Sequence, residues 1–169
     1  LKQYSKSLEF YMLSKMRPVN ANSVLSPRRS LSYLVDLEIT KTKIEISDGR
    51  IKDAERRLEK LQKINPSDSS MLEDIYQLLV DGGNSEGADK LFQTTYLISK
   101  STVNRFPDHG QHNNNHAWLL SRCAKNLDEA LVHANKAVSM DPDNGAFLDT
   151  LAEVYFQLGN RSKAIEISK

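Results

Sequence analysis

Cysteine is almost missing from this chain: Cys123 is the only one in 169 residues. No disulfide can therefore close within it, and packed apolar surface has to hold the fold together. Long apolar runs are missing too, since none approaches the roughly 18 residues of a membrane-spanning helix. Nor does one sign of charge dominate. The formal net charge of +1 argues against a mainly electrostatic attraction to nucleic acid or to an anionic membrane. The balance is uneven along the chain, with 14 Lys and Arg against 9 Asp and Glu in residues 1–68 and 9 against 13 in residues 69–169. A head-to-tail contact and ordinary solvated helix faces account for that asymmetry equally well. Proline is scarce, and Pro18, Pro27, Pro66 and Pro142 fall where apolar-periodic stretches stop or start, as does Pro107 after Phe106.

Both ends read as parts of something longer. Leu1-Lys2-Gln3-Tyr4 is polar, has no initiator Met and makes no signal peptide, and Ser162 to Lys169 reads as a helix without the Gly or Pro that commonly closes one. We therefore expect a segment of a larger protein, and the segment carries no targeting signal that names a compartment.

What the chain does have is helical periodicity between breakers. Leu8, Phe10, Tyr11, Met12, Leu13 and Met16 predict an apolar helix ending before Pro18. Ser26-Pro27 opens the next, which runs to about Ile46, and Ser47-Asp48-Gly49 turns the chain. Ala54, Leu58, Leu61 and Ile64 mark a helix from Ile51 to Asn65-Pro66. Ser70 and Glu73 have capping-box spacing ahead of Leu72, Ile75, Tyr76 and Leu79. After Asp81-Gly82-Gly83-Asn84, Ser85 can cap a long helix carrying Ala88, Leu91, Phe92, Thr95 and Ile98 towards Arg105. Ala117, Trp118, Leu119 and Leu120 predict a further helix, and Asn126-Leu127-Asp128-Glu129 reads as the cap of one bearing Ala130, Leu131, Ala134, Ala137 and Val138. Asp141-Pro142-Asp143-Asn144 ends it. Phe147, Leu148, Leu151, Ala152 and Tyr155 form the last apolar stripe before Gly159-Asn160 and Ala164, Ile165 and Ile167.

These stretches keep a 34-residue beat, with Gly49/Ala54/Pro66, Gly83/Ala88, Ala130/Pro142 and Gly159/Ala164 in matching places. Such a rhythm implies stacked helical hairpins, each with an apolar face that only a neighbour can cover. The residues resemble the tetratricopeptide repeat family, whose unit of two antiparallel helices has Gly near position 15, Ala at 20 and 27, and Pro at 32. The resemblance implies an all-α, right-handed superhelical stack in one domain over 1–169. Its units would be 35–68, 69–110, 111–144 and a truncated 145–169, behind a degenerate helical part at 1–34. Unit 69–110 is about eight residues too long, an excess we assign to its second helix and the loop after it. Unit 35–68 departs from the pattern with Glu38, Lys41, Thr42 and Glu45 where apolar residues belong, and unit 111–144 has Asn114 where a large residue is usual.

The resemblance further implies a protein-binding scaffold whose concave wall comes from first-helix positions 2, 5, 9 and 12. Those positions are Ser70, Glu73, Gln77 and Val80, then His112, Asn115, Leu119 and Arg122, then Ala146, Asp149, Glu153 and Phe156. Glu73, Asp149 and Glu153 give the wall an acidic bias. The expected ligand is an extended or helical peptide with a basic residue and an apolar contact at Leu119 or Phe156. The family's Lys/Arg and Asn clamp for acidic C-terminal tails is absent, with Glu73, Gln77, Ala146 and Thr150 where its Lys, Asn, Lys and Arg would stand. Two further expectations are an intramolecular spacer role and self-association through exposed terminal helices.

Chemistry has weaker support in the sequence. His109, His112, His116 and Cys123 suggest zinc or nickel, with His112 and His116 one turn apart. Cys123, however, lies about 10 Å further along the helix from His116, so we expect neither a metal nor a cofactor there. Gly82-Gly83-Asn84-Ser85-Glu86-Gly87 follows a helix and lacks the Lys-Ser/Thr ending of a phosphate loop. No catalytic motif occurs, and we expect no enzyme. An RNA-binding helical repeat would need a basic series in successive units, but Arg17, Arg28, Arg29, Lys41, Lys43, Arg56, Arg57 and Lys60 all fall in the first part of the chain.

Overall fold

The computed structural model describes residues 27–64 and 70–168. The helix expected before Pro18 lies outside them. Eight helices and no strand occur among the described residues: α1 Pro27–Ser47, α2 Ile51–Ile64, α3 Ser70–Asp81, α4 Ser85–Arg105, α5 Gly110–Arg122, α6 Leu127–Met140, α7 Gly145–Gln157 and α8 Arg161–Ile167. The fold is all-α. Hairpins form from α1 and α2, α3 and α4, α5 and α6, and α7 and α8, while α1 packs on α3, α3 on α5 and α5 on α7.

Each hairpin turns through the same backbone device. Gly49, Gly83 and Gly159 adopt positive φ of 73°, 78° and 81°, and Ala124 adopts 48° in the third hairpin. In each case the next N–H reaches back to the carbonyl five residues earlier: Arg50 to Glu45, Asn84 to Leu79, Lys125 to Leu120 and Asn160 to Tyr155, at 2.8 to 3.0 Å. This left-handed C-cap satisfies carbonyls that the helix end leaves free. Three hairpins use the residue that takes this conformation without steric cost, and one does not.

The helices then restart on asparagine more often than expected. Asn84, not Ser85, caps α4 through a bond from the Gly87 N–H, and Asn144 and Asn160 cap α7 and α8 in the same way. Asn126 stands at the start of α6 but is itself left-handed, and its side chain makes no cap bond. The side chains of the Ser70/Glu73 capping pair lie outside the described residues. At 21 residues α4 is two turns longer than α2 and α6, which have 14 each. That length holds most of the excess read in unit 69–110.

The core is continuous from one hairpin to the next. Leu58, Leu61, Leu72, Ile75, Leu79, Leu91, Phe92, Leu120 and Val154 are buried, with Ala54, Ala88, Ala117, Ala130 and Ala134 wholly enclosed where helices approach. Burying each large side chain contributes roughly 1.5–3 kcal/mol. The polar inner face of α1 is reconciled with this core by Arg57 of α2. Arg57 reaches back to Glu45 and Glu38, Glu45 is buried, and the Thr42 hydroxyl donates to the Glu38 carbonyl at 2.8 Å. Asn114 is buried as its repeat position requires, but its side-chain oxygen has no hydrogen-bond partner among the described residues.

Candidate functional site

A wide cleft is bounded by α5, α7 and α8. It has a volume of about 640 Å³ and is lined by Trp118, Asp149, Glu153, Phe156, Arg161 and Ile165, among others. One turn separates Asp149 from Glu153 on α7, so both carboxylates share a face. Ile165 comes from α8, where it is 61% exposed, and Phe156 is 50% exposed. Large apolar side chains with this much exposure, set among charges, suit a contact surface.

Charge in this cleft is more balanced than the acidic wall expected from the sequence. Arg122 stands 3.5 Å from Glu153, and its guanidinium lies 5.5 Å from the centre of the Trp118 ring. Glu153 also accepts from the Gln157 amide at 2.8 Å. Arg161 lies over Phe156 at 5.9 Å. Asp149 is exposed and has no ion pair among the described residues, which leaves it as the carboxylate open to a ligand.

A second cleft of about 290 Å³ lies between α4 and α5, lined by Thr95, Ser99, Thr102, Phe106, His112, Asn115 and Leu119. It depends on the extra turns of α4, which carry Thr102 and lead into Phe106 alongside α5. His112 stacks on His109 at 4.0 Å, and burial together with the His109 charge lowers its pKa. Asn115 accepts from Gln111 at 2.7 Å. Leu119 is 1% exposed against 50% for Phe156, so of the two residues expected to make an apolar contact only Phe156 presents substantial surface.

The expected wall is thus split. Asp149, Glu153 and Phe156 share the first cleft with Arg122 alongside, and His112, Asn115 and Leu119 share the second. Gln77 is exposed on α3 and donates to Asp81 at 2.7 Å. Val80 and Ala146 are exposed. The side chains of Ser70 and Glu73 lie outside the described residues. Sequence spacing missed Arg161 and Ile165 because they belong to a second helix. The signal that could have found them was their place on the helix that follows the Gly159-Asn160 turn.

The histidines also sort differently from their spacing. Among the described residues the metal-ligating side chains that gather are His116, Glu129 and His133, whose donor atoms lie within 4.8 Å of one another. His112 stays with His109, and Cys123 is buried in the main core. Glu129 receives Lys100 and His116 on one oxygen and the Tyr96 hydroxyl on the other. Burial pushes the Glu129 carboxyl up, but these hydrogen bonds outweigh it and hold its pKa at about 2. Burial, reinforced by the His116 charge, brings His133 down to about 4. Burial also lowers His116 against the pull of Glu129.

Comparison with known proteins follows the same hairpins. Residues 122–168, from the end of α5 through α8, match the tetratricopeptide repeat family. No curated protein matches the chain. Among solved structures, MamA from Desulfovibrio magneticus RS-1 is similar at 14% identity, with 98% of this chain and 89% of that chain covered and a TM-score of 0.44. MamA of MSR-1 gives 14%, 99%, 84% and 0.37 in the same order. A tetratricopeptide repeat protein from Parabacteroides merdae gives 16%, 97%, 70% and 0.32.

Proposed function

We propose that the chain is a protein-interaction scaffold and that the cleft of α5, α7 and α8 receives a peptide segment of a partner protein. The observation that carries this reading is the grouping of exposed Phe156 and Ile165 around the open carboxylate of Asp149. The tetratricopeptide repeat matched at 122–168 supports protein binding as the general role. The ligand is a short amphipathic segment. Its apolar side chain covers Phe156 and Ile165, and its Lys or Arg pairs with Asp149 through charge-assisted hydrogen bonds. Arg122 and Arg161 disfavour a uniformly basic peptide, so the ligand bears isolated positive charge.

The test is fluorescence anisotropy against a panel of labelled peptides that vary one apolar and one basic position. Asp149→Lys should lose the peptides with a basic residue, and Phe156→Ala should weaken all binders, with both variants keeping the parent helical signal. Hits that bind both variants unchanged would remove the cleft from consideration. A second copy of the chain is the other occupant that exposed Ile165 favours. Sedimentation velocity across a concentration series separates that reading from peptide binding.

A further inference from the structure

The geometry points to a site for one divalent transition-metal ion, of the zinc or cobalt class, formed by His116, Glu129 and His133. His116 comes from α5, and Glu129 and His133 stand four residues apart on α6, so the three ligands lie on the paired helices of one hairpin. The rings of His116 and His133 have centroids 4.8 Å apart at an interplanar angle of 85°. Two imidazoles on one tetrahedral ion, with metal–nitrogen bonds near 2.0–2.1 Å, would place their ring centres about 5 Å apart. The donor atoms, within 4.8 Å of one another, would have to draw in to the roughly 3.4 Å separation that a tetrahedral ion sets.

The surrounding hydrogen bonds prepare the nitrogens. Asn113 is buried, and its amide nitrogen donates to the carbonyls of Pro107 at 2.8 Å and His109 at 2.9 Å. Those two donations fix which end of the amide is oxygen, and that oxygen stands 2.8 Å from His133 Nδ1. Nδ1 must then carry the proton, which leaves Nε2 with a free lone pair. On the other imidazole, that of His116, Nε2 faces Glu129 as a donor; when an ion takes that nitrogen the ring proton moves to Nδ1, where the Ser99 hydroxyl at 2.9 Å can accept it. Holding the far ring nitrogen in this way is how proteins set the tautomer of a metal-binding histidine.

A cation already occupies the acidic corner. The Lys100 ammonium bonds the same Glu129 oxygen that faces His116 Nε2. Lys100 is 37% exposed at its side chain and Glu129 is 21% exposed, so the flexible stem can swing into solvent as an ion enters. Two imidazoles and one carboxylate suit zinc or cobalt rather than magnesium or calcium. They also leave a fourth position for water.

The test is titration of the 169-residue chain with Co²⁺, read by visible ligand-field absorption, followed by displacement with Zn²⁺. One equivalent should bind with a spectrum of low-coordinate nitrogen and oxygen ligation. His133→Ala should abolish the band, and His112→Ala should leave it unchanged. Glu129→Gln keeps groups able to bond Tyr96 and His116 but lacks the anionic ligand, and should weaken binding roughly tenfold or more. It serves as the second variant should His133→Ala fail to fold. Lys100→Met should tighten binding because it removes the competing cation. A band that never appears, or that survives in both His133→Ala and Glu129→Gln, would overturn the site. Unchanged affinity in Lys100→Met would overturn the displacement of lysine.

Discussion

Arg57 grips Glu45 with two hydrogen bonds, 3.0 Å from Nε and 2.7 Å from Nη2, and so ties α2 to the buried face of α1. The Glu45 side chain is 7% exposed, and hydrogen bonds led by the one to Glu45 raise the pKa of Arg57 despite its burial. This pair explains how α1 joins the stack although polar residues stand at its inner positions.

Removing the guanidinium should leave the buried Glu45 carboxylate with only Arg50, 3.9 Å away, as a charged partner. Arg57→Leu is expected to cost roughly 3 kcal/mol, the scale of breaking one side of a buried pair, and Arg57→Leu with Glu45→Leu should recover most of that loss. Urea unfolding of the two variants beside the parent measures both. A single variant within about 0.5 kcal/mol of the parent, the range of ordinary surface changes, would show that the pair holds nothing together.

Acid should weaken the same junction. Burial pushes the Glu38 carboxyl up, but hydrogen bonds and charge from Lys41 and Arg57 outweigh that and lower its pKa in the folded chain. Because the folded pKa is depressed, the stability Glu38 contributes is fully present above its unfolded value near 4.5. It is lost as the pH falls through the lower, folded value. Glu38→Gln should lower the melting temperature at pH 7 and flatten its decline below about pH 5. Melting curves of parent and variant that stay parallel from pH 7 to 3 would contradict this.

Ala124 offers a stabilising substitution. It stands where Gly49, Gly83 and Gly159 stand in the other hairpins, at φ 48°. Ala124→Gly should relieve the steric cost of that conformation and raise stability by roughly 0.5–1 kcal/mol, after allowing for the greater freedom of glycine in the unfolded chain. Gly159→Ala should do the reverse, by about 1 kcal/mol. Equal effects of either sign at both positions would argue against the shared C-cap.

The small residues at the helix crossings make a further prediction. Ala134 is 0% exposed on α6, so Ala134→Leu forces three more carbon atoms into a closed contact. A loss of about 1–3 kcal/mol is expected, read as a lower denaturant midpoint with the same slope. A changed slope would mean that the substitution alters the denatured ensemble or the cooperativity.

Helix type and boundaries were legible because their causes are local. Apolar residues three and four apart mark one helix face, and Pro, Gly and Asn act within a few residues of where they stand. Hence the ends of α1, α2, α4 and α6 fall within a residue or two of their sequence reading. The third hairpin hid its C-cap because Ala124 carries no signal of a left-handed backbone. Ser85 looked like a cap because sequence cannot show that Asn84, one residue earlier, already bonds the Gly87 N–H.

The sequence by itself determined an all-helical repeat with small residues where helices cross and breakers where hairpins turn, since 3.6-residue periodicity and backbone sterics need no partner. Only the tertiary structure decided which side chains meet. How far each helix is rotated against its neighbour sent His116 inward to Glu129 and His133 while His112, one turn away, stayed with His109. The same packing put Arg57 on Glu45 twelve residues back and brought Arg161 and Ile165 to Asp149. Those pairings depend on helix rotation, which is not written in the spacing of residues along one helix.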